Sequence, residues 1–179
     1  GAEPISTALC YEFNRRLRDY GLTDTAMFPV YGLAEATLAV SFPQPGKAFR
    51  SVKVLRASLS IGESVRYAGD ANADEVNLAV VGSAVKDCAI RIAVDDQTVA
   101  DNIVGEVQIK GRAITSGYYK NQAATDAALT KDGWLKTGDL GFLNAGELVI
   151  TGRAKEIIFA NGQNFYPQDL EAVIQAATG

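Results

Sequence analysis

The stretch Gly105-Glu106-Val107-Gln108-Ile109-Lys110-Gly111 decides the fold class, because its polar and apolar side chains alternate between two glycines. Alternation with a period of two is typical of a β-strand that buries one face. Strands at close intervals with few helices between them favour an antiparallel or barrel-like unit. The same reasoning predicts further strands at residues 51–56, 77–82, 89–94, 147–151 and 156–160.

One longer helix is predicted before the strands begin. Residues 6–20 carry Leu9, Phe13 and Leu17 at four-residue spacing, which is typical of an amphipathic helix, and Gly21 is well placed to end it. The remaining predictions are a buried strand at residues 26–31, a short helix or turn at 34–40, a loop at 68–77, a short helix at 123–129, a hairpin turn at Asn161-Gly162 and a helix at 168–177.

Composition excludes several classes of protein. The chain has 179 residues, 47% of them hydrophobic, with 17 basic and 21 acidic side chains and a net charge of −4. This is an ordinary globular composition, and the acidic balance argues against a nucleic-acid-binding face, which needs clustered Lys and Arg. The apolar runs are too short for an integral membrane segment.

Two residue types narrow the chemistry further. The chain contains no histidine, which excludes a histidine base, a histidine metal site and a Ser-His-Asp triad within it. Its two cysteines, Cys10 and Cys88, lie far apart and suggest neither a zinc site nor a disulfide scaffold, so we expect a cytoplasmic location.

The stretch Tyr31-Gly32-Leu33-Ala34-Glu35-Ala36-Thr37 places an aromatic ring and a carboxylate in apolar surroundings. Tyr31 can stack its ring on a planar ligand, or it can be an ordinary tyrosine of the hydrophobic core. An unpaired buried carboxylate is costly, so Glu35 needs a cation, a hydrogen-bond network or solvent. Its oxygens suit Mg²⁺, and simple exposure is an equal alternative.

Two later stretches carry further polar groups. In Thr137-Gly138-Asp139, the carboxylate can accept hydrogen bonds from vicinal ribose hydroxyls or belong to a turn in which Asp139 bonds its own backbone. Arg153 can bind a hydroxyl or a phosphate, or be a surface arginine. Lys155 and Glu156 form an ordinary solvated charge pair by default.

Taken together and in order, these motifs resemble those of the adenylate-forming superfamily, which includes acyl-CoA synthetases, luciferases and peptide-synthetase adenylation domains. The form of the motifs is most similar to that of fatty acyl-AMP ligases, and the resemblance spans nearly the whole chain. It is carried by Gly1-Ala2-Glu3-Pro4-Ile5, by Tyr31 to Leu38, by Trp134-Leu135-Lys136-Thr137-Gly138-Asp139-Leu140-Gly141, by Gly152-Arg153-Ala154-Lys155-Glu156-Ile157-Ile158 and by Gly162 to Glu171.

The resemblance implies an α/β enzyme, α+β within this chain. Residues 1–154 correspond to the end of the large domain, with a β-barrel-like subdomain, and residues 155–179 to the first hairpin and helix of the small C-terminal domain. Residues 47–82 resemble an insertion that is thought to hinder the domain movement that admits CoA. An ordinary surface hairpin is the alternative for that segment.

The resemblance also implies a nucleotide site. Gly1, Ala2, Glu3 and Pro4 correspond to the loop that lines the adenine, and Tyr31, followed by Gly32, to the tyrosine that stacks on it. Ala34 occupies a site position where many members have threonine, so its side chain offers no hydroxyl to a phosphate. Glu35 corresponds to the catalytic glutamate that holds Mg²⁺.

Three more residues complete the implied site. Asp139 corresponds to the aspartate that bonds the ribose hydroxyls, Arg153 to the arginine that joins it, and Lys155 to the hinge of the small domain. The implied cofactors and nucleotides are Mg²⁺ and ATP or AMP.

The implied reaction is ATP-dependent activation of a fatty acid to acyl-AMP with release of pyrophosphate. The acyl group then passes to the phosphopantetheine of a holo acyl carrier protein, which feeds a polyketide or lipopeptide pathway. Alternatives are an acyl-CoA synthetase, an enzyme for another carboxylate, or a non-catalytic remnant that binds nucleotide or carrier protein.

The chain begins with Gly1 and its only methionine is Met27, so we expect it to be a piece of a longer enzyme. It contains neither the phosphate loop nor the C-terminal catalytic lysine of that superfamily. We therefore expect the isolated 179 residues to be inactive in adenylate formation.

Overall fold

A computed structural model describes residues 5–69, 74–156, 158–160, 163–165 and 174. The loop Gly1-Ala2-Glu3-Pro4 and the turn Asn161-Gly162 lie outside these residues, as does all of the predicted helix at 168–177 except Ile174. Within the described ranges, no helix combines the length and the apolar character that a membrane crossing requires.

One antiparallel sheet dominates the described residues. Its strands follow the order β1-β3-β8-β7-β6-β4-β5, and β2 also pairs with β3, while β9 and β10 form a separate hairpin. The elements are α1 (Thr7–Leu17), β1 (Ser41–Phe42), β2 (Ser51–Leu55), β3 (Glu75–Ala84), β4 (Cys88–Val94), β5 (Gln97–Thr98), β6 (Gly105–Gly111), α2 (Gln122–Ala128), β7 (Leu135–Asn144), β8 (Glu147–Arg153), β9 (Ile158–Ala160) and β10 (Gln163–Phe165).

Most predicted strands are confirmed, and β6 coincides residue for residue with the alternating stretch from Gly105 to Gly111. Two predictions are wrong in part. Strand β3 begins at Glu75, inside the predicted loop at 68–77, and the ten-residue strand β7 was not predicted. An irregularity at residues 137–139 interrupts the alternation of β7, which hides the strand from a period-two pattern.

The central strands are buried on both faces. Val80 belongs to one apolar cluster and its neighbour Val81 to another, and Leu148 and Val149 divide in the same way. Successive side chains of a strand point to opposite faces, so both faces of the sheet carry a core. This explains why β3 and β8 read as continuous apolar runs.

The named strands leave the sheet open, and residues 62–68 link its two sides. Val54 of β2 forms a bridge with Tyr67, and Ser64 forms one with Ile103, just before β6. Backbone hydrogen bonds therefore run around a ring through β2, β3, β8, β7 and β6. The ring encloses a cluster of Val54, Leu59, Val65, Val80, Val104, Phe142 and Val149, which makes this part barrel-like although irregular segments close it.

The predicted helix is present as α1, but its apolar face is not buried. Ser6 caps it by accepting a hydrogen bond from the backbone of Leu9, and a 3₁₀ turn leads to Gly21, whose φ is 88°. The predicted apolar face is exposed, with Leu9 at 68% and Phe13 at 46%, whereas Asn14 is buried. The spacing of apolar residues along a helix defines an apolar face, but it does not specify whether another part of the protein packs against that face.

Residues 26–31 do not form the predicted buried strand. Phe28 and Val30 are 39% and 38% exposed, and only Tyr31 makes a ladder contact, an isolated bridge with Ser41. An apolar run becomes a strand only where a neighbouring strand pairs with it, and among the described residues the first ladder contact of this run is at Tyr31. The short turn predicted at 34–40 is present as a 3₁₀ turn, Ala34–Ala36.

Candidate active site

A buried carboxylate joins three distant parts of the chain. The hydroxyl of Tyr31 donates a hydrogen bond of 2.6 Å to Oδ2 of Asp139, and Nε of Arg153 donates one of 3.0 Å to Oδ1. Asp139 is 5% exposed, and it lies opposite Arg153 in the pairing of β7 with β8. Both oxygens of Asp139 are therefore held by donors, as a buried carboxylate requires.

A bulge in β7 sets the position of this carboxylate. Lys136 pairs with Gln108 and Leu140 with Glu106, so Thr137, Gly138 and Asp139 together lie opposite Val107 alone. Such extra residues bend a strand and redirect its side chains. The turn that was one alternative for Thr137-Gly138-Asp139 is thus a bulge inside a strand.

Thr137 and Gly138 stabilise the bulge. The Thr137 hydroxyl donates to the carbonyl oxygen of Val107 at 2.7 Å and accepts from the backbone N–H of Asp139 at 3.1 Å. Gly138 has a φ of 74°, in the region that favours glycine, and its carbonyl oxygen accepts a hydrogen bond from Ala154 N–H. The bulge is therefore fixed to both neighbouring strands.

Burial, reinforced by the neighbouring Asp139 carboxylate, raises the pKa of the Tyr31 hydroxyl far above its ordinary value. The hydroxyl thus remains protonated at neutral pH and acts as a donor. Its ring is 9% exposed and packs in the same cluster as Val40 and Val81, as the core-tyrosine alternative predicts. Next to it, a Cβ on Gly32 would lie 1.6 Å from the Leu38 carbonyl oxygen, so only glycine fits there.

Glu35 lies on the 3₁₀ turn Ala34–Ala36 and is half-buried. One oxygen of its carboxylate, Oε1, accepts a hydrogen bond of 2.8 Å from the hydroxyl of Tyr118. The turn ends at Thr37, whose φ of 66° is unusual for a residue with a branched side chain. Ala34 is exposed on the same turn.

The described residues contain no group of three or more acidic or sulfur ligands that could enclose a metal ion. Mg²⁺, the ion that the resemblance implies, is usually held by one or two carboxylates together with phosphate oxygens and water. Glu35 fits this requirement: Oε1 is occupied by Tyr118, and within the described part of the chain Oε2 accepts no hydrogen bond.

The structure brings Tyr31, Asp139 and Arg153 into direct contact, with Glu35 four residues beyond Tyr31. Lys155 is exposed in the turn after β8, and the loop Gly1-Ala2-Glu3-Pro4 lies outside the described residues. Sequence reasoning missed Tyr118 and the bridging hydroxyl of Thr137. The signal for Tyr118 was the pair of aromatic residues that follows Gly117 in a polar loop.

Comparison with known proteins adds to this geometry. No protein-family model matches the chain. A 4-hydroxyphenylalkanoate adenylyltransferase of Mycobacterium tuberculosis is 39% identical over 193 aligned residues, which cover all of this chain and 30% of that protein. A long-chain-fatty-acid–AMP ligase of the same organism, FadD26, is 37% identical, with all of this chain and 33% of the ligase covered.

A solved structure from a study of fatty acyl-adenylate ligases of E. coli and L. pneumophila superposes with a TM-score of 0.88 at 34% identity, over 98% of this chain and 32% of the other. The chain thus spans about a third of the length of these relatives. Its sequence and its fold are similar to those of the adenylate-forming superfamily. Within that superfamily it is similar to the fatty acyl-AMP ligases, so the expected family and fold class are confirmed.

Proposed function

We propose that the protein carrying this chain forms an acyl-adenylate from a carboxylic acid and ATP. The substrate carboxylate attacks the α-phosphorus in line, a bond forms between the carboxylate oxygen and phosphorus, and pyrophosphate leaves. The observation that carries the proposal is the Asp139 carboxylate held between Tyr31 and Arg153, in a chain similar along its whole length to adenylate-forming ligases.

In this proposal Asp139 binds the ribose. An ionised carboxylate has about four acceptor positions, and two are used by Tyr31 and Arg153, which leaves two for vicinal hydroxyls. Within the described residues, Arg153 donates to Asp139 through Nε alone, and its side chain is 58% exposed. Its terminal amino groups can therefore bind a ribose or phosphate oxygen. Tyr31 and the loop at residues 1–4 are proposed to line the adenine.

Glu35 is proposed to hold Mg²⁺ beside the phosphates. When bound, the ion neutralises phosphate charge and so favours attack by an anionic carboxylate. The role of Glu35 is to orient one carboxylate oxygen toward that ion. Phosphate oxygens and water would complete the coordination, as is usual for Mg²⁺.

We further propose a fatty acid as the substrate and a holo acyl carrier protein as the acceptor, in the cytoplasm. Residues 1–154 then belong to the large domain and residues 155–179 to the small one, with the exposed Lys155 at the hinge. The proposed insertion at 47–82 contributes Val54, Leu59 and Val65 to the barrel core. This anchoring supports the proposal that the segment restricts a domain movement.

A second substrate class is favoured by one relative. The adenylyltransferase that is 39% identical is named for 4-hydroxyphenylalkanoates, which are carboxylic acids with an aromatic end. An arylalkanoate is therefore the alternative to a fatty acid. Two different activities also remain open to the same test, namely that of an acyl-CoA synthetase and that of a non-catalytic remnant that binds nucleotide.

The test incubates the full-length protein with ATP, Mg²⁺ and a panel of fatty acids and 4-hydroxyphenylalkanoates, adding either CoA or a holo carrier protein. Mass spectrometry identifies the products. Acyl-AMP that persists with CoA but loads the carrier protein supports the ligase. Efficient acyl-CoA formation reassigns the protein to the synthetases, and nucleotide binding without any adenylate indicates a remnant.

A matched pair of variants tests the role of Asp139. Asp139→Asn removes the charge that Tyr31 and Arg153 hold, and we expect it to raise the KM for ATP at least tenfold. Asp19→Asn makes the same change at an exposed site and should leave that KM unchanged. Equal KM values for ATP in the two variants would show that Asp139 does not bind the nucleotide.

A further inference from the structure

A polar loop at residues 113–118 docks onto the turn that carries Glu35. The Tyr118 hydroxyl donates to Oε1 of Glu35 at 2.8 Å, and the backbone N–H of Thr115 donates to the Glu35 carbonyl oxygen at 2.7 Å. The Thr37 hydroxyl donates to the carbonyl oxygen of Ala113 at 3.3 Å. Three contacts thus join segments about 80 residues apart, and one of them is made by the Glu35 carboxylate.

The loop itself is braced, so that the direction of Tyr118 is set. The Thr115 hydroxyl donates to the carbonyl oxygen of Gly117 and accepts from its N–H, at 2.9 and 3.2 Å. The backbone N–H of Tyr118 donates to the Thr125 hydroxyl on α2 at 2.9 Å. Gly117 has a φ of 151°, and a Cβ there would lie 2.6 Å from Cγ2 of Thr125. The backbone that carries Tyr118 is therefore fixed against a helix.

The neighbouring tyrosine provides a contrast within the same loop. Tyr119 is 88% exposed, and the centroid of its ring lies 5.4 Å from Nζ of Lys120. Tyr118 is 40% exposed and engages Glu35. Of the two adjacent tyrosines, only Tyr118 contacts the carboxylate, so the same substitution in each separates the hydrogen bond from a general effect on the loop.

We propose that Tyr118 is a positioning residue that holds one oxygen of the Glu35 carboxylate and leaves the other for the divalent cation. This inference rests on the proposed function, in which Glu35 holds Mg²⁺. A carboxylate ligand with a fixed orientation loses less side-chain freedom when the cation binds. Hydrogen bonds of this outer kind typically change metal affinity about 10- to 100-fold when removed.

The chemistry of the pair agrees with a donor role. A phenol hydroxyl, with its ordinary pKa of about 10, is protonated throughout the neutral range and can donate a hydrogen bond to a carboxylate. A neutral donor leaves the negative charge of Glu35 intact for the cation.

The test uses Tyr118→Phe, Tyr119→Phe, Glu35→Gln and the double variant Tyr118→Phe/Glu35→Gln in the full-length protein. Two quantities are measured: the Mg²⁺ concentration for half-maximal adenylation, and the calorimetric affinity for Mg²⁺ in the presence of an α,β-methylene analogue of ATP. We expect Tyr118→Phe to weaken both about tenfold. Tyr119→Phe should match the wild type, and Tyr118→Phe should add no further loss to Glu35→Gln.

Two outcomes overturn the inference about Tyr118 while leaving the proposed function intact. In the first, Tyr118→Phe and Tyr119→Phe have the same Mg²⁺ affinity. In the second, Tyr118→Phe weakens Mg²⁺ binding in the Glu35→Gln protein as much as it does in the wild type. Thermal unfolding of each variant shows whether a loss comes from instability rather than from the cation site. If the wild type forms no adenylate, or Glu35→Gln keeps the wild-type Mg²⁺ requirement, the proposed function itself fails. The two failures are therefore distinguishable.

Discussion

The hydroxyl of Tyr31 lies 2.6 Å from Oδ2 of Asp139, across 108 residues of sequence. This contact fastens the segment that precedes the barrel-like part to the bulge in β7. It also gives a buried carboxylate a neutral donor on one oxygen, while Arg153 supplies a charged donor on the other. One pair of side chains thus links the packing of the chain to its proposed ribose site.

This contact predicts a particular loss of stability in alkali. The folded state raises the pKa of Tyr31 above its unfolded value of 10.0, so its contribution is complete below that pH and is lost as the pH rises further. Above pH 10.0, the free energy of unfolding measured with urea should therefore fall more steeply with pH for the wild type than for Tyr31→Phe. At neutral pH, Tyr31→Phe should lower the free energy of unfolding by roughly 1–3 kcal/mol.

The control for this prediction is Tyr20→Phe. Tyr20 is 86% exposed, so the substitution should change the neutral free energy of unfolding by less than about 0.5 kcal/mol. If Tyr31→Phe is as stable as Tyr20→Phe at neutral pH, the buried hydrogen bond contributes nothing.

The bulge in β7 allows the effect of backbone strain on stability to be distinguished from its effect on ATP binding. Gly138→Ala and Gly146→Ala place a methyl group at φ values of 74° and 77°, with no atom within 4 Å in either case. Both should lose about 1–2 kcal/mol of stability to backbone strain. Only Gly138→Ala should raise the KM for ATP, because only Gly138 precedes Asp139. Steady-state kinetics of both variants check this, and equal KM values would contradict it.

Arg153→Lys tests whether geometry, rather than charge, matters beside Asp139. Lysine keeps the positive charge but loses the planar guanidinium whose Nε–H reaches Oδ1. We expect the KM for ATP to rise about tenfold, since a hydrogen bond to a charged group contributes about 1.5–3 kcal/mol. Arg66→Lys, at an exposed position, is the matched control. An unchanged KM in Arg153→Lys would mean that charge alone suffices.

The barrel core predicts that residues 47–82 cannot be removed without cost. Leu59 is 1% exposed and packs with Phe142 and Val149, so Leu59→Ala should destabilise the protein by about 2–5 kcal/mol. Ile61→Ala, two residues away and 55% exposed, should change stability by less than about 0.5 kcal/mol. Chemical denaturation compares them, and similar midpoints would indicate that the segment is peripheral.

The strands show how far local pattern carries a prediction. β6 follows its alternation residue for residue, because one period-two face is enough to identify a strand. Strand β7 was not predicted, because its residues 137–139 lie opposite a single residue of β6 and so break the alternation. Helix α1 was predicted from its spacing, yet Leu9 is exposed, because the spacing does not specify what packs against the face.

The candidate site divides in the same way. The order of the motifs identified Tyr31, Glu35, Asp139 and Arg153 as chemical groups of interest before any contact was known. That Tyr31 donates to Asp139, and that Tyr118 donates to Glu35, depended on pairings across 108 and 83 residues. Local spacing contains no information about such distances.

The sequence by itself determined most of the strands, the family that the chain resembles and the functional groups that it carries. These follow from residue type and short-range spacing, which act within a few residues along the chain. Only the tertiary structure decided the register of β7 against β6, the bulge that directs Asp139 and the donors on each carboxylate. Those features arise from packing and hydrogen bonding between segments that meet only after the sheet has formed.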